Sequence, residues 1–484
     1  MKSNVARALA VAAAMTLAAC AVQPGTHADL PQTVKTVAPD AWSVDAPNDT
    51  VDADQWWSQF GDPTMHKLVD LVLNDNLDVK AAVERVKQAG EVTKQQRAAL
   101  SPQLDAGATA AYERQNTPPP LGYVKQAGAG LTASWQPDVF GGERLAVLAA
   151  QAQATGRQWA LNELRLALAA NTAAAYIDLR WAQTQRQIIN ENEDIRSRAL
   201  KLTQQRLKYG LSTQLDVARA QNQLQDLQAQ IPKINSTIQH DMSLIAVYSG
   251  RTPESVDSLL LSDAQPIPVP SQSVPLTLPS EALLRRPDVR TAYATVEQRA
   301  AEVGVARADR YPKFSLRLSD GILASSYLGM PTLTDNLFSA ALNATAPIFN
   351  AGRITAHIEE NESRMRESQL NLQQTMLNAL KDIEDTRSDL VNGDAQVAKL
   401  AGALDASGHA LRLSTELYKG GASSFLDVLD AQEAYLRDSE SLNQAKREHA
   451  QAAVALYRSL GGGWDAPAAS DAAKARPTTD VAAN

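Results

Sequence analysis

Hydrophobic positions change their period several times along the chain, and the same series of changes occurs twice. From about 63 to 100, Ala, Val and Leu recur at helical spacing, and the stretch ends at Pro102, which has no N–H to donate into a helix. The next pattern alternates with period two: Ala127, Ala129, Leu131, Ala133 and Trp135 stand against Gly128, Gly130, Thr132 and Ser134. A partner strand is predicted over 103–114, across a turn-rich loop from Thr117 to Gly122, and Pro137 closes the hairpin. A proline-free helical pattern then covers 142–208, which at ~1.5 Å per residue would reach roughly 100 Å. It reverses at Tyr209 to Ser212 into a return helix with Leu224, Leu227, Ile231, Ile234, Ile238 and Ile245 on heptad spacing. Asp241 interrupts that seam, and Pro232 predicts a kink.

The second half runs likewise. A helical stretch over 280–310 ends at Pro312. Strands are predicted over 313–323 and 338–348 across a loop from Ser325 to Asp335, and Pro347 ends the hairpin. A long helix over 352–418 carries Met376, Ile383, Leu390, Val397, Leu404, Leu411 and Tyr418 every seventh residue, with Asn392-Gly393 as a candidate break. The reversal falls at Lys419 to Ser423. Pro102 and Pro137 match Pro312 and Pro347 at a constant offset. Gly210-Leu211-Ser212-Thr213-Gln214-Leu215-Asp216-Val217 matches Gly421-Ala422-Ser423-Ser424-Phe425-Leu426-Asp427-Val428 one residue further on. The chain therefore reads as an internal two-fold repeat, 55–261 and 281–464, joined by a Pro-rich linker over 262–280. The polar Ala/Pro-rich tail, 465–484, is expected to be disordered.

Composition agrees with long helices packed on several faces: aromatics are only 5% of 484 residues. The net charge of -8 is spread out, with no basic block for nucleic acid. No internal apolar run is long enough for a spanning helix, so any membrane-spanning part must be strands. Four strands cannot enclose anything, and an open edge in lipid leaves backbone groups unsatisfied, so closure needs other subunits. On the strands alone, a water-soluble pair of hairpins packed on their own helices competes with this reading.

Lys2 and Arg7, an apolar run over 8–19 and then Leu17-Ala18-Ala19-Cys20 resemble a bacterial lipoprotein signal. Residues 1–19 would be removed and Cys20 lipidated, followed by a tether over 20–54. Cys20 is the only cysteine, so no disulfide competes for it. Ala21 and Val22 in place of an aspartate imply sorting to the outer membrane.

Trp56-Trp57-Ser58-Gln59-Phe60-Gly61-Asp62-Pro63, the junction prolines, Phe349-Asn350-Ala351-Gly352-Arg353 and the repeated Gly-x-x-x-x-Leu-Asp-Val…Ala-Gln resemble the TolC-like outer-membrane factors. The lipoprotein branch typified by OprM and NodT is the closer match, over about 55–464. The resemblance implies a mainly α fold with a transmembrane β-barrel: a homotrimer with four strands per chain, a twelve-stranded barrel continuing into a long periplasmic α-helical barrel. It implies a lipid-anchored protein of the outer membrane that extends into the periplasm. Its implied partners are a periplasmic adaptor (membrane-fusion protein) and an inner-membrane pump, chiefly of the RND (resistance–nodulation–division) type. It implies passive conduction rather than catalysis, with no cofactor beyond the covalent lipid on Cys20.

By the same resemblance, Gly210, Leu211, Ser212, Gly421, Ala422 and Ser423 are adaptor-contacting tips; as turn residues they also need no further role. Asp427 and Asp430 match carboxylates that ring a closed pore, where a trimer would present six acids that favour cations. Ser424-x-x-Asp427 and Thr213-x-x-Asp216 also read as acidic capping boxes, which account for Asp427 and Asp216 without a gate. Capping does not account for Asp430, whose repeat counterpart is Arg219. Tyr418 and Asp216 match a tyrosine and an aspartate that hold the family's gate shut; Ser423 stands where the arginine of that network is expected, and Tyr418 also continues the packing seam.

The six histidines are scattered, without ligand-like spacing, and no phosphate loop or nucleophile elbow is present. His357 near Glu359 and Glu360 reads as a solvated helix face rather than a metal site. Three functions remain open at this stage: an efflux duct, a duct for protein secretion or metal export, and a non-conducting coiled-coil envelope lipoprotein. Cys20→Ser is predicted to abolish incorporation of radiolabelled palmitate, and unchanged labelling would refute the lipid anchor.

Overall fold

A computed structural model describes residues 22–42, 55–115, 122–260, 265–270, 278–327 and 332–462. Cys20, the leader over 1–19, parts of the tether and linker, and the tail over 465–484 lie outside the described residues. The chain is mainly helical with one four-stranded sheet. Its elements in order are α1 (Leu30–Val37), a 3-10 turn (Trp56–Phe60), α2 (Pro63–Asp75), α3 (Leu77–Ala98), β1 (Gln103–Gln115), β2 (Gly122–Trp135), α4 (Gly142–Lys208), α5 (Gln214–Gln228) and α6 (Gln230–Tyr248). After a second 3-10 turn (Pro253–Ser255) come α7 (Asp257–Leu260), α8 (Pro279–Arg285), α9 (Pro287–Ala308), β3 (Lys313–Tyr327), β4 (Leu333–Thr345), α10 (Arg353–Gly420) and α11 (Phe425–Ser459). Among the described residues no helix is long and apolar enough to cross a membrane. Contacts divide the chain into two compact units, one over 1–29, 84–158 and 290–374, the other over 30–83, 159–289 and 375–484.

The first unit holds the sheet, antiparallel in the order β1-β2-β3-β4. The strands run further toward their turns than the alternation predicts: β3 reaches Tyr327 and β4 begins at Leu333, inside the loop expected over Ser325 to Asp335. At the other end β4 stops at Thr345, leaving Ile348 and Phe349 beyond it and largely exposed. Directly opposed residues share a face, so the register sorts the sheet. Leu104, Ala106, Ala108 and Ala110 oppose Ala133, Leu131, Ala129 and Ala127. The same face continues through Leu318, Ile322 and Ala324 into Ala340 and Leu342, with Asp320 the one acid among them. The other face carries Asp105, Thr109, Thr132, Arg317, Ser319, Ser339 and Asn343, and the Ser319 and Ser339 hydroxyls lie 2.7 Å apart.

Across this polar face runs a row of glycines, Gly107 opposite Gly130 and Gly130 opposite Gly321. A Cβ on Gly130 would come within 2.9 Å of the Asp320 carbonyl oxygen, and one on Gly321 within 2.8 Å of the Ala129 carbonyl oxygen. Below the sheet, Phe140 stacks on Tyr311 at 4.8 Å. The Val22 amide, two residues after Cys20, donates to the Phe140 carbonyl, and the Gly25 amide to that of Ala300. The start of the expected tether is thus laid along the first unit.

The second unit contains the main core. Trp56 is fully buried, stacks on Tyr457 at 5.5 Å and meets Trp57 and Phe60 edge-on. Asp62 caps α2, accepting from the Thr64 and Met65 amides at 2.7 and 3.0 Å, and Pro63 takes the first helical position. The second Asp62 oxygen accepts from the Tyr176 hydroxyl at 2.9 Å, which in turn accepts from Nε of buried Arg180. Burial pushes the Tyr176 phenol up to about 12, so it stays a donor. The Trp-Trp…Gly-Asp-Pro motif is accordingly a packing and capping device. Helix α1, with Leu30 and Val34 buried, packs on α8, so the second part of the expected tether is ordered as well.

Each stretch expected as one helix before a hairpin is two. Asn76 ends α2 and its side-chain oxygen accepts from the Asp78 and Val79 amides, while its amide donates to the Tyr248 carbonyl. Arg286 stands extended (ψ 125) before Pro287, where proline disfavours the helical region. The return helix breaks at Ala229, three residues before Pro232, whose absent N–H leaves the Gln228 carbonyl without its helical partner. Asn392-Gly393 does not interrupt α10: Asn392 bonds back to the Ser388 carbonyl, and Gly393 lies where a Cβ would rest 3.4 Å from His449. The heptad seam from Met376 to Tyr418 is buried or half-buried throughout.

Asp241, the exception in the seam of α6, is half-buried near Asp178 of α4. Asp178 accepts from Arg447 and Gln451 of α11, both at 2.6 Å, and the Arg447 guanidinium lies over Trp181. Burial, reinforced by Asp178 and opposed by Arg447 and His240, pushes the Asp241 carboxyl up to about 6. The folded state then binds this proton more tightly than the unfolded chain. Stability from this residue should fall as pH rises through about 6 and increase as pH drops from there toward the ordinary value of 3.8. Asp241→Asn is expected to flatten that slope in melting curves taken between these limits; an unchanged slope would contradict it.

Candidate gate at the helical tips

Both helix reversals end the same way. At the first tip the Gly210 amide donates to the Leu207 carbonyl and the Leu211 amide to that of Arg206; at the second, Gly421 donates to Tyr418 and Ala422 to Leu417. This is the double closure of a Schellman turn, and it requires φ near +73° at Gly210 and +76° at Gly421. Leu211 and Ala422 are exposed beyond the turns.

The next helix starts at once in each case, and both predicted capping boxes form. Thr213 and Asp216 exchange bonds at 3.0 and 3.2 Å, and Ser424 and Asp427 at 2.9 and 3.3 Å. Asp427 is exposed with its carboxylate engaged by Ser424. Asp430 is exposed one turn further along α11, on the same helix face.

The two tips meet through side chains. Tyr418 is buried against Phe425, Val428, Leu200 and Leu224. Its hydroxyl lies 3.4 Å from the Ser212 hydroxyl, which donates to Asp216 at 3.0 Å. Ser212 thus stands between Tyr418 and Asp216, the tyrosine and aspartate singled out from sequence. Burial pushes the Asp216 carboxyl up, but bonds from Thr213 and Ser212 outweigh it, with help from Arg219, and hold it below the usual carboxylate range.

Arg206 is the residue that the sequence reading missed. From the last turns of α4 it donates to the Tyr418 and Lys419 carbonyls at 2.8 and 3.1 Å, and its guanidinium lies 4.7 Å from the Tyr418 ring centre. It thus holds the open carbonyl end of α10, where a cation is electrostatically favoured. Ser423, at the position matched to the family's arginine, has a buried hydroxyl without a partner among the described residues. The available signal was a cation in the last turn before Gly210, which motif matching at 423 passed over. His357 and Glu360, also singled out from sequence, form an exposed pair at 3.6 Å.

A family model described as "Outer membrane efflux protein" matches residues 68–249 and 278–462. The chain belongs to the outer membrane efflux protein family. As a member it is an efflux channel component of the outer membrane. It is 29% identical to the pyoverdine export outer membrane protein OpmQ of Pseudomonas aeruginosa, over 94% of this chain and 96% of that one. It is 27% identical to nodulation protein T of Rhizobium leguminosarum bv. trifolii, over 85% of this chain and 88% of the relative. The outer-membrane channel OprN superposes with a TM-score of 0.79 and 28% identity, covering 89% of this chain and 99% of its own. The Campylobacter jejuni CmeC channel, at 20% identity, shares the fold with a TM-score of 0.80.

Removing the Arg206 clamp should free the carbonyl end of α10 in this efflux protein. Arg206→Ala is expected to speed hydrogen exchange of the Gly421 and Ala422 amides about tenfold, the scale of one charge-assisted bond. Unchanged exchange would show that the turn holds without it.

Proposed function

We propose that three copies of this chain close a twelve-stranded barrel in the outer membrane and continue it as a helical duct through the periplasm. The duct is the passive exit of a tripartite efflux system, fed by an inner-membrane pump, chiefly of the RND type, through a periplasmic adaptor. One observation carries the reading. The sheet ends at β1 and β4, each bonded on one side only, with an apolar face and a polar face sorted by register. Such a sheet satisfies its backbone in lipid only when neighbouring copies take up its edges, and known barrels begin at about eight strands. The two halves, matching at a nearly constant offset, act as repeats of one unit.

The lipid on Cys20 anchors the chain beside the base of the barrel. The bond from Val22 to Phe140, five residues past the end of β2, supports this position. The tips from Gly210 to Ser212 and from Gly421 to Ser423 receive the adaptor. Beside them a groove of about 550 Å³ is lined by Leu202, Leu411, Tyr418, Phe425, Val428 and Tyr435. The same tips form the gate. Asp430, with Asp427, lines a ring of acids on the axis, and Tyr418, Ser212, Asp216 and Arg206 hold each pair of tips in the closed arrangement.

Planar-bilayer recording of the purified trimer tests both levels. Wild type should give small unitary currents blocked by multivalent cations. Asp430→Ala should raise conductance and weaken the block several-fold, as expected for a removed acidic ring. A monomer in detergent without unitary currents would defeat the duct. A conducting trimer whose Asp430 variant keeps the wild-type block would remove Asp430 from the gate.

A further inference from the structure

The apolar face of the sheet does not end uniformly. At its lower end Trp135 donates its indole N–H to the Leu100 carbonyl at 3.0 Å. At the hairpin-turn end the same face carries Tyr112, Arg114, Tyr123 and Lys125, paired Tyr112 with Lys125 and Arg114 with Tyr123. The two tyrosine rings are stacked at 5.2 Å with an interplanar angle of 5°, yet remain 64% and 50% exposed. The Lys125 ammonium lies 5.8 Å from the centre of the Tyr112 ring, within reach of a cation–π attraction. Arg114 and Lys125 are both exposed.

Depth decides what this cluster meets. From Tyr123 to Trp135, β2 advances twelve residues, roughly 40 Å along the strand at ~3.3 Å each. Tilted by ~45°, that covers about 28 Å, close to the ~30 Å hydrocarbon core. The two aromatic ends therefore mark the two boundaries of the hydrocarbon; Arg114 stands level with Tyr123 at one boundary, and Lys125, two residues inside it, reaches the same level along its stem. The long helices leave from the Trp135 end, so the tyrosine end lies in the leaflet away from the periplasm. A cation pointing outward there gains only if the lipid beside it is anionic.

We infer that Tyr112, Tyr123, Lys125 and Arg114 form an outward-facing docking site for a phosphorylated glycolipid headgroup of the outer leaflet. This inference rests on the barrel reading above. Arg114 offers a planar fork of donors suited to phosphate oxygens, and Lys125 a point charge beside it. The stacked tyrosines form a flat, partly polar platform at headgroup level, where amphipathic rings are favoured. A simple anionic phospholipid would satisfy one charge. A bisphosphorylated sugar headgroup has both the charge and the ring to use all four residues.

The test is native mass spectrometry of the full-length protein, supplied in turn with bisphosphorylated lipid A, its dephosphorylated form and phosphatidylglycerol. Wild type should retain bisphosphorylated lipid A about tenfold better than either competitor, the scale set by two cations at an anionic surface. R114E/K125E should lose that preference while its unitary conductance in planar bilayers matches wild type; the neutral R114Q/K125Q pair should fall between them and guards against misfolding of the reversed variant. Equal retention of all three lipids by wild type, or an unchanged preference in both variants, would overturn the site. Failure of wild type to conduct would instead strike the duct reading, and the two failures are read on different instruments.

Discussion

A strand in hydrocarbon has no water to which an unpaired N–H or C=O can turn, and in the proposed duct this constraint governs the rest of the molecule. The sheet offers four strands, two bonded on both sides and two on one. No rearrangement within the chain closes it, because four strands are too few to form a tube. Oligomerisation in the proposed duct is therefore part of folding rather than an addition to it. The face sorting agrees over most of the register: leucine and alanine dominate one side, and serine, threonine, arginine and asparagine the other, where Leu323, Leu333 and Leu337 stand toward the β3–β4 turn.

The helical part obeys a different logic. Helices of 67 and 68 residues need no membrane to satisfy their backbones, only partners for a narrow apolar seam. The seam is supplied by α5, α6 and α11, and its ends are finished by chemistry suited to reversals: Schellman turns closed by glycine, then capping boxes. The Arg206 clamp adds a charge-assisted bond between the two reversals. Beyond the tips, the large aromatic core around Trp56 and Tyr457 fixes the entry of the chain, with Asp62, Tyr176 and Arg180 bonded in sequence beneath it.

Much of this was legible in the sequence because it rests on local rules. Prolines bracket the hairpins, period-two alternation marks the strands, and Ser/Thr-x-x-Asp marks the helix starts. Three features were not legible, each for a physical reason. The break at Asn76 joins a local cap on the Asp78 and Val79 amides to a bond with the Tyr248 carbonyl, far away along the chain. The continuity of α10 through Asn392-Gly393 accompanies packing against His449, distant along the chain, which no local pattern announces. Arg206 acts on main-chain carbonyls, which carry no residue identity, so no motif at the receiving end advertises it. Strand length was underestimated for a related reason: ladder bonds near the turns continue after the side-chain alternation has faded.

The glycines at 107, 130 and 321 have a geometric consequence. Glycine lets a sheet bend, and this row removes side chains from the polar side across three strands, most tightly where a Cβ on Gly130 or Gly321 would meet the neighbouring strand at 2.9 or 2.8 Å. In the proposed barrel the row favours curvature toward the polar side, with leucine and alanine on the convex face and serine and arginine toward the hollow. Methyl groups at Gly130 and Gly321 would press on carbonyl oxygens of the adjoining strand and push the ladder apart there, on the side that would line the hollow.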